Sequence, residues 1–135
     1  MTIPESENFV LIRTAFSHEL RWTELLKIAK NQPEPFTAWF AVLEDLSLNG
    51  STVEQIVNDL PENYRQCALF IADERALLED GFPCLVVGPL GEGLRPFRAL
   101  ARELPAIDAN LSIGNMDYEE FEEATEADGI FRGFK

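Results

Sequence analysis

Five ionisable side chains stand at or just beyond the ends of apolar segments, and together they contain the groups that acid–base or magnesium chemistry needs. Arg13 is the last residue of FVLIR, and His18 lies shortly after it. Asp45 comes after FTAWFAVL, and Asp73 and Arg75 come after CALFIA. Paired carboxylates bind Mg²⁺, and an imidazole acts as a general base. These five residues form the candidate ligand cluster of the sequence.

The candidate ligand cluster also has a simple structural explanation. Charged residues must appear where apolar strands end, and a fold does not by itself imply a function. His18 is the single histidine, and the sequence contains neither C-x-x-C nor G-x-S-x-G. A transition-metal site or a serine triad therefore lacks its usual ligands or geometry. We expect no metal, no cofactor and no catalytic residue, and we favour a non-catalytic protein.

The glycines of GPLGEG resemble a phosphate-binding loop only superficially. Such a loop needs a strand before it and a helix after it, so that the helix N-terminus meets the anion. A strand is predicted to follow here. The glycines therefore indicate a hairpin turn.

A second group of residues favours binding of a protein. The segment from Asp117 to Asp128 carries seven acids and no base. Asp117 and Glu120 have capping-box spacing, and acids in a first turn interact favourably with the helix dipole. Helix stability therefore explains the acids at the start of the segment. The acids nearer its end are explained either by solubility or by a basic partner. The candidate partner face consists of Glu119, Glu122, Glu123 and Glu126.

Composition limits the classes of function. The chain has 135 residues, a net charge of −13 and a pI of about 4.3, which disfavour binding to nucleic acids and to anionic membranes. The composition, 46% hydrophobic and 26% charged, is typical of one globular domain over residues 1–135, with residues 1–8 loose. No secretory pattern or membrane span is evident, and Cys67 and Cys84 lie in apolar runs that favour buried thiols. We expect a cytoplasmic protein.

The elements that position these residues follow from the apolar patterns. Short, continuously apolar runs are typical of strands covered on both faces. The helices are identified by apolar residues spaced three to four apart, and their ends are set by capping residues and by helix-breaking glycine or proline. The predicted strands are 9–13, 36–43, 67–73, 84–88 and 96–101. Four helices are predicted. The first follows Ser17 and ends near Asn31 and Pro33, and the second follows the Ser51–Glu54 capping pair. The third starts near Leu104 or Pro105, and the fourth runs from Asp117 to Gly129.

The resulting order is β-α-β-α-β-β-β-α-α. It predicts a single-domain α/β fold with a mixed, largely parallel sheet of about five strands and helices on both faces. Strands 9–13 and 67–73 should be central, and residues 84–100 should form a hairpin that adds an antiparallel edge. Ligands of such sheets bind outside the carboxyl ends of the strands, where the candidate ligand cluster should lie. Ile130, Phe131 and Phe134 should pack on the core beyond the helix stop at Gly129.

Long stretches of the sequence carry a family resemblance. The ending NLSIGNMDYEEFEEATEADGIFRGF, together with LIRTAFS, TVEQIV and LFIAD…LVVG, resembles a bacterial family of domains of unknown function. Members of that family end in NLS, NMD, an acidic phenylalanine-rich helix and DG-x-FRGF. Tyr118 replaces a phenylalanine of that pattern, and Gly114 replaces an alanine. The resemblance implies a compact, intact domain and no established activity or substrate.

Three hypotheses remain. The favoured one is a small acidic cytosolic protein that binds a basic protein, for example as an inhibitor or in an immunity-type role, and that is a monomer or homodimer. The alternative is an enzyme or small-ligand-binding protein that uses the candidate ligand cluster. A third is an accessory protein that assembles through an apolar surface.

Overall fold

The computed structural model describes residues 9–30, 40–64 and 66–134, which form one six-stranded mixed sheet of order β2-β1-β3-β4-β5-β6. β1 is parallel to β2 and β3, β5 is parallel to β6, and β4 is antiparallel to both its neighbours. The α/β class is confirmed, with one strand more than predicted. The strands are β1 (Val10–Arg13), β2 (Ala41–Leu43), β3 (Leu69–Ala72), β4 (Pro83–Val87), β5 (Phe97–Leu100) and β6 (Ile130–Phe131).

β1 and β3 are interior strands, as predicted from their continuous apolar runs. The predicted hairpin is also present, because β4 and β5 pair antiparallel. It does not form the edge of the sheet, however, since β6 pairs with β5 on the outer side. The predictions for residues 1–8, 31–33 and 36–39 lie outside the described residues.

The helices connect these strands and are mostly short. α1 begins one residue later than predicted, since the carbonyl of His18, not Ser17, accepts the first helical hydrogen bond, from Trp22 N–H at 3.0 Å. The predicted start near Leu104 or Pro105 is confirmed. The helices are α1 (Glu19–Lys30), α2 (Val53–Asn58), α3 (Glu74–Leu78), α4 (Leu104–Ser112) and α5 (Tyr118–Glu123), with 3-10 turns at Leu46–Leu48 and Ala101–Glu103.

Helices cover both faces of the sheet, as predicted. Side chains of successive strand residues point to opposite faces, so Leu11 packs into one apolar cluster while Val10 and Ile12 pack into the other. The larger cluster lies under α1, α3, α4 and α5, and the smaller one lies under the turn Leu46–Leu48 and α2. The core is therefore two apolar layers separated by the sheet.

The C-terminal segment forms a strand, where the sequence predicted a docked tail behind a helix that ends at Gly129. α5 ends at Glu123, because the chain must turn to bring Ile130 and Phe131 beside β5. These two side chains are only 4% and 1% exposed, so their predicted burial is confirmed. The ring of Phe134 packs against the buried rings of Phe121 and Phe131, with ring centres 5.4 and 5.0 Å apart, but Phe134 is 55% exposed and so covers the core without being buried in it.

The outer edge of β6 is closed by its own turn. The N–H of Ile130 donates to Asp128 Oδ1 at 3.2 Å, and the carbonyl of Ile130 accepts from Glu126 N–H at 3.0 Å. On the inner side, Arg98 N–H donates to Gly129 O at 3.0 Å. The backbone groups of Ile130 that face away from β5 are thus already hydrogen-bonded.

The cap of α2 lies one residue later than the sequence predicted. Thr52, not Ser51, accepts from the N–H of Gln55 at 3.2 Å, and Gln55 Oε1 accepts from Thr52 N–H at 2.8 Å. This reciprocal pair is a capping box, and it leaves the predicted Ser51–Glu54 pair without that role.

The corrected cap gives a paired test. Thr52→Ala should lower the free energy of unfolding by about 0.5–2 kcal/mol, because it leaves an N–H of the first turn without its acceptor. Ser51→Ala, the adjacent control, should change it by less than about 0.5 kcal/mol. Urea denaturation of both variants measures the difference. Equal losses in the two variants would show that Thr52 is not the cap.

Candidate functional site

Three turns meet at the carboxyl ends of the parallel strands. β1 leads into α1 on one face of the sheet, whereas β2 leads into Leu46–Leu48 and α2 on the other. The loops therefore diverge at this edge, where ligands of open α/β sheets bind. A cleft of about 340 Å³ lies here, lined by residues 14–18, 49–51 and 73–75. We call it the strand-end cleft.

The structure brings three members of the candidate ligand cluster to this cleft. His18, Asp73 and Arg75 line it, whereas Arg13 and Asp45 do not. His18 Nε2 lies 3.4 Å from Glu74 Oε1, and Arg75 forms an ion pair with Glu79. The charged groups of the cleft are thus arranged in pairs.

Asp73 is held by the most extensive of these pairings. Its Oδ1 and Oδ2 accept from Arg98 Nη1 and Nη2 at 2.9 and 2.7 Å, and its Oδ1 caps α3 by accepting from Ala76 N–H at 3.1 Å. Burial acts to raise the pKa of Asp73, but the hydrogen bonds and charge of Arg98 and the Ala76 N–H outweigh it and hold the pKa below its usual range. Asp73 therefore joins α3 to β5 as a carboxylate.

Arg13 is buried beside the cleft, with 1% of its surface exposed. Its Nη1 donates to Glu19 at 2.8 Å and to Glu44 at 3.1 Å, so it joins the start of α1 to the end of β2. The guanidinium carbon lies 4.5 Å from the ring centre of Phe16 and 5.1 Å from that of Trp22. Stacking and ion pairing make Arg13 a packing element of the sheet end.

Asp45 caps the turn Leu46–Leu48. Its Oδ1 accepts from the hydroxyl of Ser47 at 2.7 Å and from the Ser47 N–H at 2.9 Å. These hydrogen bonds, that of the hydroxyl first, lower the pKa of Asp45. Its position in the sequence therefore reflects the start of a turn.

Thr14 lies at the base of the cleft and is 5% exposed. Its N–H donates to Ala72 O at 3.0 Å and its carbonyl accepts from Gly50 N–H at 2.8 Å, which fixes the residue between β3 and the 49–51 turn. Within the described ranges its hydroxyl has no hydrogen-bond partner. Thr14 and Ser17 follow the first predicted strand in the sequence, whereas no sequence pattern places Asn49 and Ser51 at the cleft, which they reach after a 3-10 turn.

The candidate partner face is cross-linked by two arginines. Arg95 Nη2 lies 3.0 Å from Glu119 and its Nε 3.0 Å from Glu122. Arg132 pairs with Glu126 at 2.8 Å and with Asp128 at 2.7 Å. Three of the four predicted acids are therefore ion-paired. Glu123 is exposed and forms no ion pair with any residue of the described ranges.

A family model matches residues 8–134, almost the whole chain. The chain belongs to DUF6924, a family described as a domain of unknown function. A search of curated proteins gives no significant match. Membership of DUF6924 therefore assigns no role to any residue.

The C-terminal motif of this DUF6924 domain forms structural contacts. Tyr118 donates its hydroxyl hydrogen bond to Arg95 O at 2.8 Å, next to Val86 O at 3.3 Å. Phe121 packs edge-on against Phe131, with ring centres 5.4 Å apart. These contacts join α5 and β6 to β4 and β5.

Metal-ligand clusters and membrane-spanning helices are both absent from the described ranges of the DUF6924 domain. The described ranges contain no group of three or more His, Cys, Asp or Glu side chains placed to hold a metal ion. None of their helices combines the length and apolar character needed to cross a lipid bilayer.

Proposed function

We propose that this DUF6924 domain is a small, acidic, non-catalytic protein of the bacterial cytoplasm that binds a basic protein, in an inhibitor or immunity-type role. The supporting observation is the charge of the C-terminal segment. Seven carboxylates lie between Asp117 and Asp128, and within the described ranges Arg95 and Arg132 pair with four of them, so these nine groups together carry a net charge of −5. The domain acts as a monomer or homodimer.

The arginines favour binding by fixing the acids in place. Arg95 bridges Glu119 and Glu122, and Arg132 bridges Glu126 and Asp128, so the carboxylates are held before a partner arrives. Exposed ion pairs add only about 0–1 kcal/mol to stability, so these bridges contribute more to surface geometry than to folding. A fixed, negative surface attracts a basic partner over long distances and lowers the ordering cost of association.

The cysteines support a reducing compartment. Cys67 and Cys84 are free thiols, and Cys84 is fully buried. Burial raises the pKa of both thiols above its usual range, so they remain protonated and unreactive at neutral pH. Free thiols are typical of cytoplasmic proteins.

Charge reversal tests the acidic face. Once a partner has been isolated from lysate at low salt, Glu119→Lys/Glu123→Lys should slow its association about tenfold and change dissociation less, because steering acts before contact. The matched control is Glu54→Lys/Glu62→Lys, the same change of charge at exposed positions on and just after α2. Surface plasmon resonance at several salt concentrations gives both rate constants.

Salt provides the second comparison. Exposed charges are screened beyond about 8 Å at physiological ionic strength, so association with the native domain should weaken as salt rises. If affinity ignores salt, or if both charge-reversal pairs change it equally, the acidic face serves solubility alone.

A second candidate function is the binding of a small molecule in the strand-end cleft, as an enzyme or as a ligand-binding protein. The observation in its favour is Thr14, a residue only 5% exposed that lines the cleft and whose hydroxyl has no hydrogen-bond partner in the described part of the chain. His18, 3.4 Å from Glu74, is a group in the cleft with the chemistry of a general base.

A further inference from the structure

We infer that the strand-end cleft binds a small, uncharged, polyhydroxylated molecule of the monosaccharide or polyol class. This inference rests on the second candidate function, ligand binding in the cleft, and is independent of the acidic face. The cleft volume of about 340 Å³ lies at the small end of the range for ligand pockets, about 300–1,000 Å³.

The charges of the cleft disfavour an anionic ligand. Asp73 is paired with Arg98, and Arg75 is paired with Glu79. Glu74 remains exposed beside His18 and contributes negative charge. The cleft therefore presents no uncommitted guanidinium or ammonium group to a phosphate or carboxylate.

The uncommitted groups are uncharged and can both donate and accept hydrogen bonds. The hydroxyls of Thr14, Ser17 and Ser51 and the amide of Asn49 line the cleft, and the described residues offer their side chains no hydrogen-bond partner. A hydroxyl carries one donor and two acceptor sites, and an amide carries both types. Such a lining matches the hydroxyls of a polyol, which also donate and accept.

Thr14 fixes the position of the ligand. Both its backbone groups are used, in bonds to Ala72 and Gly50, so the residue cannot shift, and only its hydroxyl is available. Phe16 also lines the cleft, and its ring is held by the Arg13 guanidinium at 4.5 Å. The cleft thus offers a fixed polar anchor and an apolar wall, a combination that accommodates the hydroxyls and the C–H face of a sugar ring.

The test is a titration of the full chain followed by ¹⁵N–¹H NMR. Myo-inositol and D-glucose are the uncharged probes, and inorganic phosphate is the anionic probe. At least one uncharged probe should cause saturable shifts confined to residues 14–18, 49–51 and 73–75, with a millimolar Kd. Phosphate should cause none.

Two variants locate the anchor. Thr14→Val keeps the side-chain shape and removes the hydroxyl, so it should weaken binding of the shifting probe about tenfold. Thr23→Val makes the same change on the exposed surface of α1, outside the cleft, and should leave binding unchanged. Thermal melts show whether each variant is folded. Equal affinities for the two variants would overturn the role of Thr14.

The outcomes distinguish an error in the ligand class from an absence of ligand binding in the cleft. If phosphate shifts the cleft residues and neither uncharged probe does, the polyol class is wrong while ligand binding in the cleft stands. If no probe produces saturable shifts in the cleft, both the class and the second candidate function fail. Neither result bears on the acidic face, which the charge-reversal rates test separately.

Discussion

Deletion of residues 130–135 is expected to lower the free energy of unfolding of the whole domain by about 3–6 kcal/mol. The deletion removes β6, in which Ile130 and Phe131 are 4% and 1% exposed, and burial of each such side chain contributes about 1.5–3 kcal/mol. It also removes the ring that packs edge-on against Phe121. Since the total free energy of unfolding of a small domain is about 5–15 kcal/mol, the expected loss is a large share of the stability.

Urea denaturation followed by fluorescence and circular dichroism measures that loss. Two point variants locate it: Phe131→Ala should account for about 3–5 kcal/mol, and Phe134→Ala, at a half-exposed position, should cost clearly less. A truncated domain as stable as the full chain would mean that this segment is reserved for a partner. The truncated protein would then lose binding and keep its melting temperature.

Asp73→Ala is the second change with a large expected effect, about 3–5 kcal/mol of destabilisation. It leaves the largely buried guanidinium of Arg98 without its bidentate partner, and it also removes the cap of α3. Asp45→Ala is the matched control. Asp45 also caps a turn but has no ion pair in the described structure, so its loss should cost clearly less than that of Asp73.

The pH dependence of stability, measured on the native protein and on Asp73→Asn, gives an independent check. Because the folded-state pKa of Asp73 is lowered, its contribution is fully present above the unfolded pKa of about 3.9 and is lost as pH falls through the folded pKa. The difference in unfolding free energy between the native protein and Asp73→Asn should therefore be constant near neutrality and shrink below about pH 4. A difference that does not change with pH would assign the stabilisation to packing.

The parts of the fold that follow from local sequence were predictable. β1 and β3 are apolar on both sides, so their central position was visible in the chain. α3 has only five residues and buries the adjacent pair Ala76 and Leu77, which gives no helical period. β6 has two residues, and its pairing with β5 depends on a distant segment, so no local pattern marks it.

The candidate site is likewise predictable only where it depends on local sequence. Strand ends are predictable from the sequence, and His18, Asp73 and Arg75, which the sequence predicts there, line one cleft. The partner of Asp73 is not predictable from local sequence, since Arg98 lies 25 residues further along the chain, on β5. Residues 49–51, which line one side of the strand-end cleft, likewise reach it through a turn whose direction no sequence pattern predicts.

The closed outer edge of β6 has a consequence for assembly. An open strand edge is a template on which other chains can polymerise, and proteins commonly blunt such edges. Here the outward N–H and carbonyl of Ile130 are occupied by Asp128 and Glu126, so an incoming strand finds neither a donor nor an acceptor at that residue. Sheets of neighbouring copies therefore cannot fuse through Ile130 into a continuous ribbon, and a fusion protein that extends the chain beyond β6 should not recruit other molecules by that route.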